Sequence, residues 1–94
     1  MRLEWLPVAA RNLQSQLAYI GERNPSAAID IGDLIEAAVG RLANHPNSGR
    51  PGRVRGTREL AVSGTPFVIA YRVEPGAVVI LRLLHGAQLW PDAL

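Results

Sequence analysis

Leu6, Ala10, Leu13, Leu17 and Ile20 recur at spacings of 4, 3, 4 and 3 residues, which lays one apolar stripe along a helix. Pro7 suits the first turn of that helix, where its missing N–H costs nothing. The stripe ends at "GERNP", because the residue before Pro25 is pushed out of the helical region. Asn24 then serves as N-cap and Pro25 as first residue of a second helix. Its face is Ala28, Ile31, Ile35, Ala38 and Leu42, widened by Leu34 and Val39, while Asp30, Asp33 and Glu36 take the wet side. His45-Pro46 stops it, with His45 placed to favour the C-terminal end of the helix dipole. Two helices joined so tightly pack antiparallel, as a hairpin.

Elsewhere the period is two. "RLEWL" fits a short opening strand, with Trp5 in the core. Arg58, Leu60 and Val62 alternate with Thr57, Glu59 and Ala61, "SGTP" is a turn, and "FVIAYRV" is the next strand. "EPGA" turns about Pro75-Gly76, which sets Val73 opposite Val78 and Arg72 opposite Val79 in the strand "VVILRLLH". That last strand is apolar almost throughout and belongs at the sheet centre, covered on both faces. The order β-α-α-β-β-β predicts a single α+β domain over residues 1–94, a helical hairpin packed on a small antiparallel sheet.

Composition narrows the chemistry. The chain has no cysteine, which excludes a disulfide, a thiolate zinc site and a thiol nucleophile. Two histidines 40 residues apart, without clustered carboxylates, argue against any metal site, and no cofactor is implied. No stretch resembles a signal peptide or a membrane span, so a cytoplasmic protein is expected. All ten basic residues are arginine, and the net charge of +2 is unevenly placed. Residues 1–44 sum to −1, residues 45–60 to +3 and residues 61–94 to zero.

The positive charge is thus confined to "HPNSGRPGRVRGTREL", which carries Arg50, Arg53, Arg55 and Arg58. Its glycines do not lead from a strand into a helix, so it is no phosphate loop. It lacks the aromatics or reading helix of a nucleic-acid arm, and no direct sequence-specific nucleic-acid binding is expected. Two readings stay open: a solvated connector, or a docking stretch for an acidic partner. Four guanidiniums within nine residues repel one another, and Glu59 can satisfy one of them.

"YIGERNPSAA", "LANHPNSGRPGRVRGTREL", "FVIAYRV" and "VVILRLLHGAQLWP" together resemble the RelE/ParE superfamily of bacterial toxin–antitoxin toxins, closest to the ParE branch. They follow the family's order and span nearly the whole chain. The resemblance implies the toxin of a plasmid-stabilisation module, neutralised by a ParD-like antitoxin with an acidic C-terminal segment. ParE-type members act on DNA gyrase, whereas RelE-type members cleave messenger RNA on the ribosome. Partner-binding candidates are therefore Arg50, Arg53, Arg55, Arg58, Arg82, His85 and Trp90, with the C-terminal "HGAQLWPDAL" a further contact region.

A ribonuclease needs a general base, a general acid and cations for the developing phosphorane charge. Val68 stands where the RelE pattern places an arginine, Gly86, Ala87 and Gln88 bring no cation, and Trp90 offers no acid or base. Only His85 and Arg82 remain as catalytic candidates for that alternative, so the expected activity is binding rather than catalysis. Trp90 either packs down the tail or anchors a partner.

Overall fold

Pro7 opens the first helix, as its fixed φ favours, and the computed structural model describes residues 1–94 apart from Leu89 and Asp92. Strand β1 (Arg2–Trp5) leads into α1 (Pro7–Arg23) and α2 (Pro25–Leu42). β2 (Arg50–Pro51), β3 (Arg58–Ala61), β4 (Phe67–Glu74) and β5 (Ala77–His85) follow. Asn24 alone joins the helices. Its backbone N–H donates to the Ile20 carbonyl at 2.8 Å, ending α1, while its Oδ1 accepts from the Ala27 N–H at 3.1 Å, opening α2. Side by side, the helices interlock where Leu17 packs on Gly32 and Gly21 faces Ala28.

The sheet runs β1-β5-β4-β3-β2. β5 is central, as its apolar run requires, and between Ala77 and Leu84 only Arg82 escapes full burial. β4 and β5 pair with Val73 opposite Val78 and Arg72 opposite Val79, the register the Pro75-Gly76 turn dictates. Gly76 takes φ +75 there, which a side chain would resist. One bulge interrupts the ladder: Tyr71 pairs Ile80 and Ala70 pairs Arg82, so Leu81 is the extra residue.

Two features depart from expectation. The sheet is mixed, because β1 joins β5 in parallel, with Arg2 opposite Ala77 and Trp5 opposite Ile80. The whole helical hairpin is the long crossover that a parallel neighbour demands. The basic stretch also contributes a strand of its own: β2 pairs antiparallel with β3, Arg50 opposite Glu59.

Helix-facing positions Phe67, Ile69, Tyr71, Val78, Ile80 and Leu83 form one core with Ala9, Ile35, Ala38, Val39 and Leu42. On α1 the burial is shifted from the predicted stripe. Ala9 is the fully buried residue, while Leu6, Ala10, Leu13, Leu17 and Ile20 are half-covered. Trp5 is likewise half-buried at the sheet edge, lining a cleft of about 310 Å³ with Leu3, Leu13, Glu36, Val39 and Gly40. Leu34, expected on the buried face, is exposed. Arg50, Glu59, Ala70 and Arg82 lie side by side across four strands, on the face turned away from the core. No helix among the described residues is long and apolar enough to cross a membrane.

Candidate partner-docking site

The basic stretch is an ordered hairpin rather than a free connector. Gly52 N–H donates to the Thr57 carbonyl at 2.8 Å and Thr57 N–H to Val54 at 3.1 Å, closing the loop between β2 and β3. Its base is tied to the core by Tyr71, whose hydroxyl donates to the Pro46 carbonyl at 2.7 Å and accepts from Gly49 N–H at 2.9 Å. Arg58 donates to the Gly49 carbonyl at 2.7 Å. The loop is held from both sides.

Glu59 is the hub. Only 3% exposed, it accepts from the Arg50 guanidinium at 3.0 Å, from Arg53 Nε at 3.1 Å and from the Arg53 backbone N–H at 2.8 Å. It therefore satisfies two arginines, where the sequence suggested one. Since Arg58 is bound to backbone carbonyls, three of the four guanidiniums have partners inside the chain. Mutual repulsion thus supplies less argument for an external acid than composition implied. Arg55 differs: it is exposed, and its side chain makes no ion pair or hydrogen bond among the described residues.

Burial pushes the Glu59 carboxyl up, but hydrogen bonds from the Arg53 backbone and side chain, then from Arg50, with the Arg53 charge, outweigh it. The net effect lies below the ordinary 4.5. A carboxylate lowered on folding stabilises the fold fully above its unfolded value, and that contribution is lost as pH falls through the folded value. Glu59→Gln is therefore expected to lower stability by about 2 kcal/mol near neutrality, the two guanidiniums being free to re-solvate. The gap between variant and parent melting curves should be constant from pH 7 to about 5 and should narrow below about 4.5. A gap that persists unchanged at pH 3 would show that the ion pairs contribute nothing.

Trp90 lies beneath the Arg53 guanidinium, whose central carbon is 3.6 Å from the ring centroid. Loop and C-terminal segment thus meet, which the sequence did not suggest. Of the segment "HGAQLWPDAL", Leu89 and Asp92 lie outside the described residues. Arg82 occupies the same sheet row as Glu59, but its guanidinium donates to the Leu81 carbonyl at 2.9 Å. His85 ends β5, edge-on to Phe67 with ring centroids 5.8 Å apart. Its Nδ1 accepts from Ala87 N–H at 3.1 Å. Val68, half-buried on the outer face, pairs Ala61 and Leu84, so its own row carries no cation. The His45 backbone N–H caps α2 by donating to the Arg41 carbonyl at 2.9 Å. Sequence reasoning missed Tyr71 and Gly49. A tyrosine in the middle of an apolar strand, needing a partner for its hydroxyl, was the available signal.

A helical hairpin on one face of a five-strand mixed sheet is the architecture shared with solved ParE and RelE toxin–antitoxin structures. The chain matches the family model of the ParE toxin of type II toxin–antitoxin systems (parDE) over residues 3–90, and it belongs to that family. It is 42% identical over 93 residues to the toxin candidate Y4kP of Sinorhizobium fredii, covering 99% of this chain and 96% of that protein. Toxin RelE3 of Caulobacter vibrioides is 39% identical over 84 residues, with 87% and 90% covered. Among solved structures, a chain of the chromosomal ParDE toxin–antitoxin system of P. aeruginosa superposes with a TM-score of 0.81 at 28% identity, covering 90% of this chain and 95% of that one. The toxin–antitoxin complex RelBE2 of Mycobacterium tuberculosis gives 0.62 at 27% identity, covering 93% and 92%.

Proposed function

We propose that this ParE-like toxin acts by binding DNA gyrase and inhibiting it, catalyses no reaction of its own, and is neutralised by a ParD-like antitoxin bearing an acidic segment. The observation that carries this reading is the engagement of the candidate catalytic groups. His85 spends Nδ1 on the Ala87 N–H, and Arg82 turns its guanidinium to a carbonyl. Val68 stands where a phosphorane-stabilising arginine would serve. What the surface offers instead is the exposed guanidinium of Arg55 beside those of Arg50 and Arg53, which stay exposed while pairing with Glu59, suited to protein docking. The larger TM-score of the ParDE chain points the same way.

A gyrase supercoiling assay with folded protein, with and without antitoxin, tests the proposal. Loss of supercoiling, reversed by antitoxin, is the expected result. Relatives named RelE favour a second reading, a ribosome-dependent messenger RNA endoribonuclease. It predicts no effect on gyrase and cleavage of messenger RNA in a translating extract. His85→Ala separates the two. Losing one surface contact weakens inhibition by up to about tenfold, whereas losing a general base lowers cleavage by roughly 10²- to 10⁴-fold.

A further inference from the structure

Arg53 uses its guanidinium twice. One edge is fixed by Glu59, with Nε at 3.1 Å from Oε2 and Nη2 at 3.3 Å from Oε1. The flat face covers Trp90 at 3.6 Å. Its backbone N–H also donates to Oε2 at 2.8 Å, so main chain and side chain are both pinned to one buried carboxylate. The indole, by contrast, is not held through its polar edge. Trp90 Nε1 is buried and has no hydrogen-bond partner among the described residues.

We propose that Arg53 is a clamp that positions the C-terminal segment, gripping Trp90 by its face while Glu59 sets the angle of that face. The orphaned N–H opposes the attachment, and stacking under a partly desolvated guanidinium offsets it by a comparable amount. Without the planar cation the ring loses the face contact that offsets this cost. The clamp needs an arginine rather than a lysine. A lysine can pair with Glu59 as a point charge but has no plane to lay on an indole. The basic hairpin and the C-terminal segment, two separate stretches in sequence, become one continuous surface through this residue. The clamp is a property of the free chain and stands or falls independently of which target the toxin meets.

Trp90 fluorescence tests it. The chain has two tryptophans, so Trp5→Phe leaves Trp90 as the sole reporter. In that background Arg53→Lys is expected to shift emission to the red and raise acrylamide quenching by about threefold. The thermal midpoint should stay within about 5 °C, because the Glu59 pair survives. Arg53→Ala should release the ring at least as far. Glu59→Gln, which keeps the guanidinium but loosens its angle, should give a smaller change in the same direction. Should Trp5→Phe fail to fold, the same comparison is made on the component of the wild-type signal that Trp90→Phe removes. Unchanged emission and quenching in folded Arg53→Lys and Arg53→Ala proteins overturns the clamp.

Discussion

Gly49→Ala should destabilise the protein by about 3 kcal/mol and lower its melting temperature by roughly 15 °C. An added Cβ would stand 2.6 Å from the Tyr71 hydroxyl and 2.8 Å from the Glu59 carbonyl oxygen. Neither neighbour can yield cheaply. Tyr71 is fully buried, with its hydroxyl committed to the Pro46 carbonyl, and the Glu59 carbonyl belongs to the β3 backbone. Relief would require Gly49 to withdraw, which breaks its N–H bond to Tyr71 and disturbs the 2.7 Å bond that Arg58 makes to its carbonyl. Those losses fall where Arg50 and Arg53 are presented, so partner binding should weaken together with stability. Gly40→Ala is the control. It lies on the exposed face of α2 with nothing within 4 Å of a new Cβ, and should gain about 1 kcal/mol by helix propensity. Thermal melts followed by circular dichroism decide the matter. A Gly49→Ala midpoint within a few degrees of the parent would mean the close approach carries no weight.

Ile80→Ala is the second large effect, about 4 kcal/mol. Ile80 has no solvent exposure and sits on the central strand between Trp5 of β1 and Tyr71 of β4. Its cavity would open beneath both helices and be lined by side chains that the sheet holds in register, leaving little room for collapse. A domain of this size has only about 5–15 kcal/mol to lose, so the variant should approach the threshold of folding. Urea titration should show the midpoint falling with an unchanged slope. Ile29→Ala, on a residue 66% exposed in α2, should remain within about 0.5 kcal/mol of the parent. Equal losses at the two positions would contradict the core as described.

Periodicity carried most of the fold because each element is either one-faced or fully covered. The 3-4 stripes mark both helices, and the unbroken run from Ala77 to Leu84 marks the strand with neighbours on both sides. The Pro75-Gly76 turn set a register that the ladder keeps from Glu74-Ala77 to Tyr71-Ile80, before the bulge at Leu81 shifts it by one residue. The parallel partnership of β1 was not legible, since it joins Arg2 to Ala77 and no local pattern records a contact across that separation. The strand β2 was hidden for another reason. Its two residues, Arg50 and Pro51, are exposed, so they leave no hydrophobic signature. At the site, the arginines were visible as charge, but their partners were not. A glutamate at an alternating strand position reads as solvated. Only the approach of Arg50 and Arg53 over the sheet face makes its burial tolerable. Trp90 and Arg53, 37 positions apart in sequence, meet only because the tail returns over the molecule.

The parallel pairing of β1 with β5 has a consequence for the order of events at synthesis. β5 bridges β1 and β4 and supplies Val78, Ile80 and Leu83 to the core, yet it is translated after every other element of the fold. Until it emerges, the helical hairpin lacks the centre of its sheet and β1 has no neighbour. Contacts this distant along the chain are slow to close, and they cannot form on a nascent chain that lacks its centre strand. Assembly must wait for β5. The surface that carries Arg50 and Arg53 is therefore complete only once every strand of the sheet has been made.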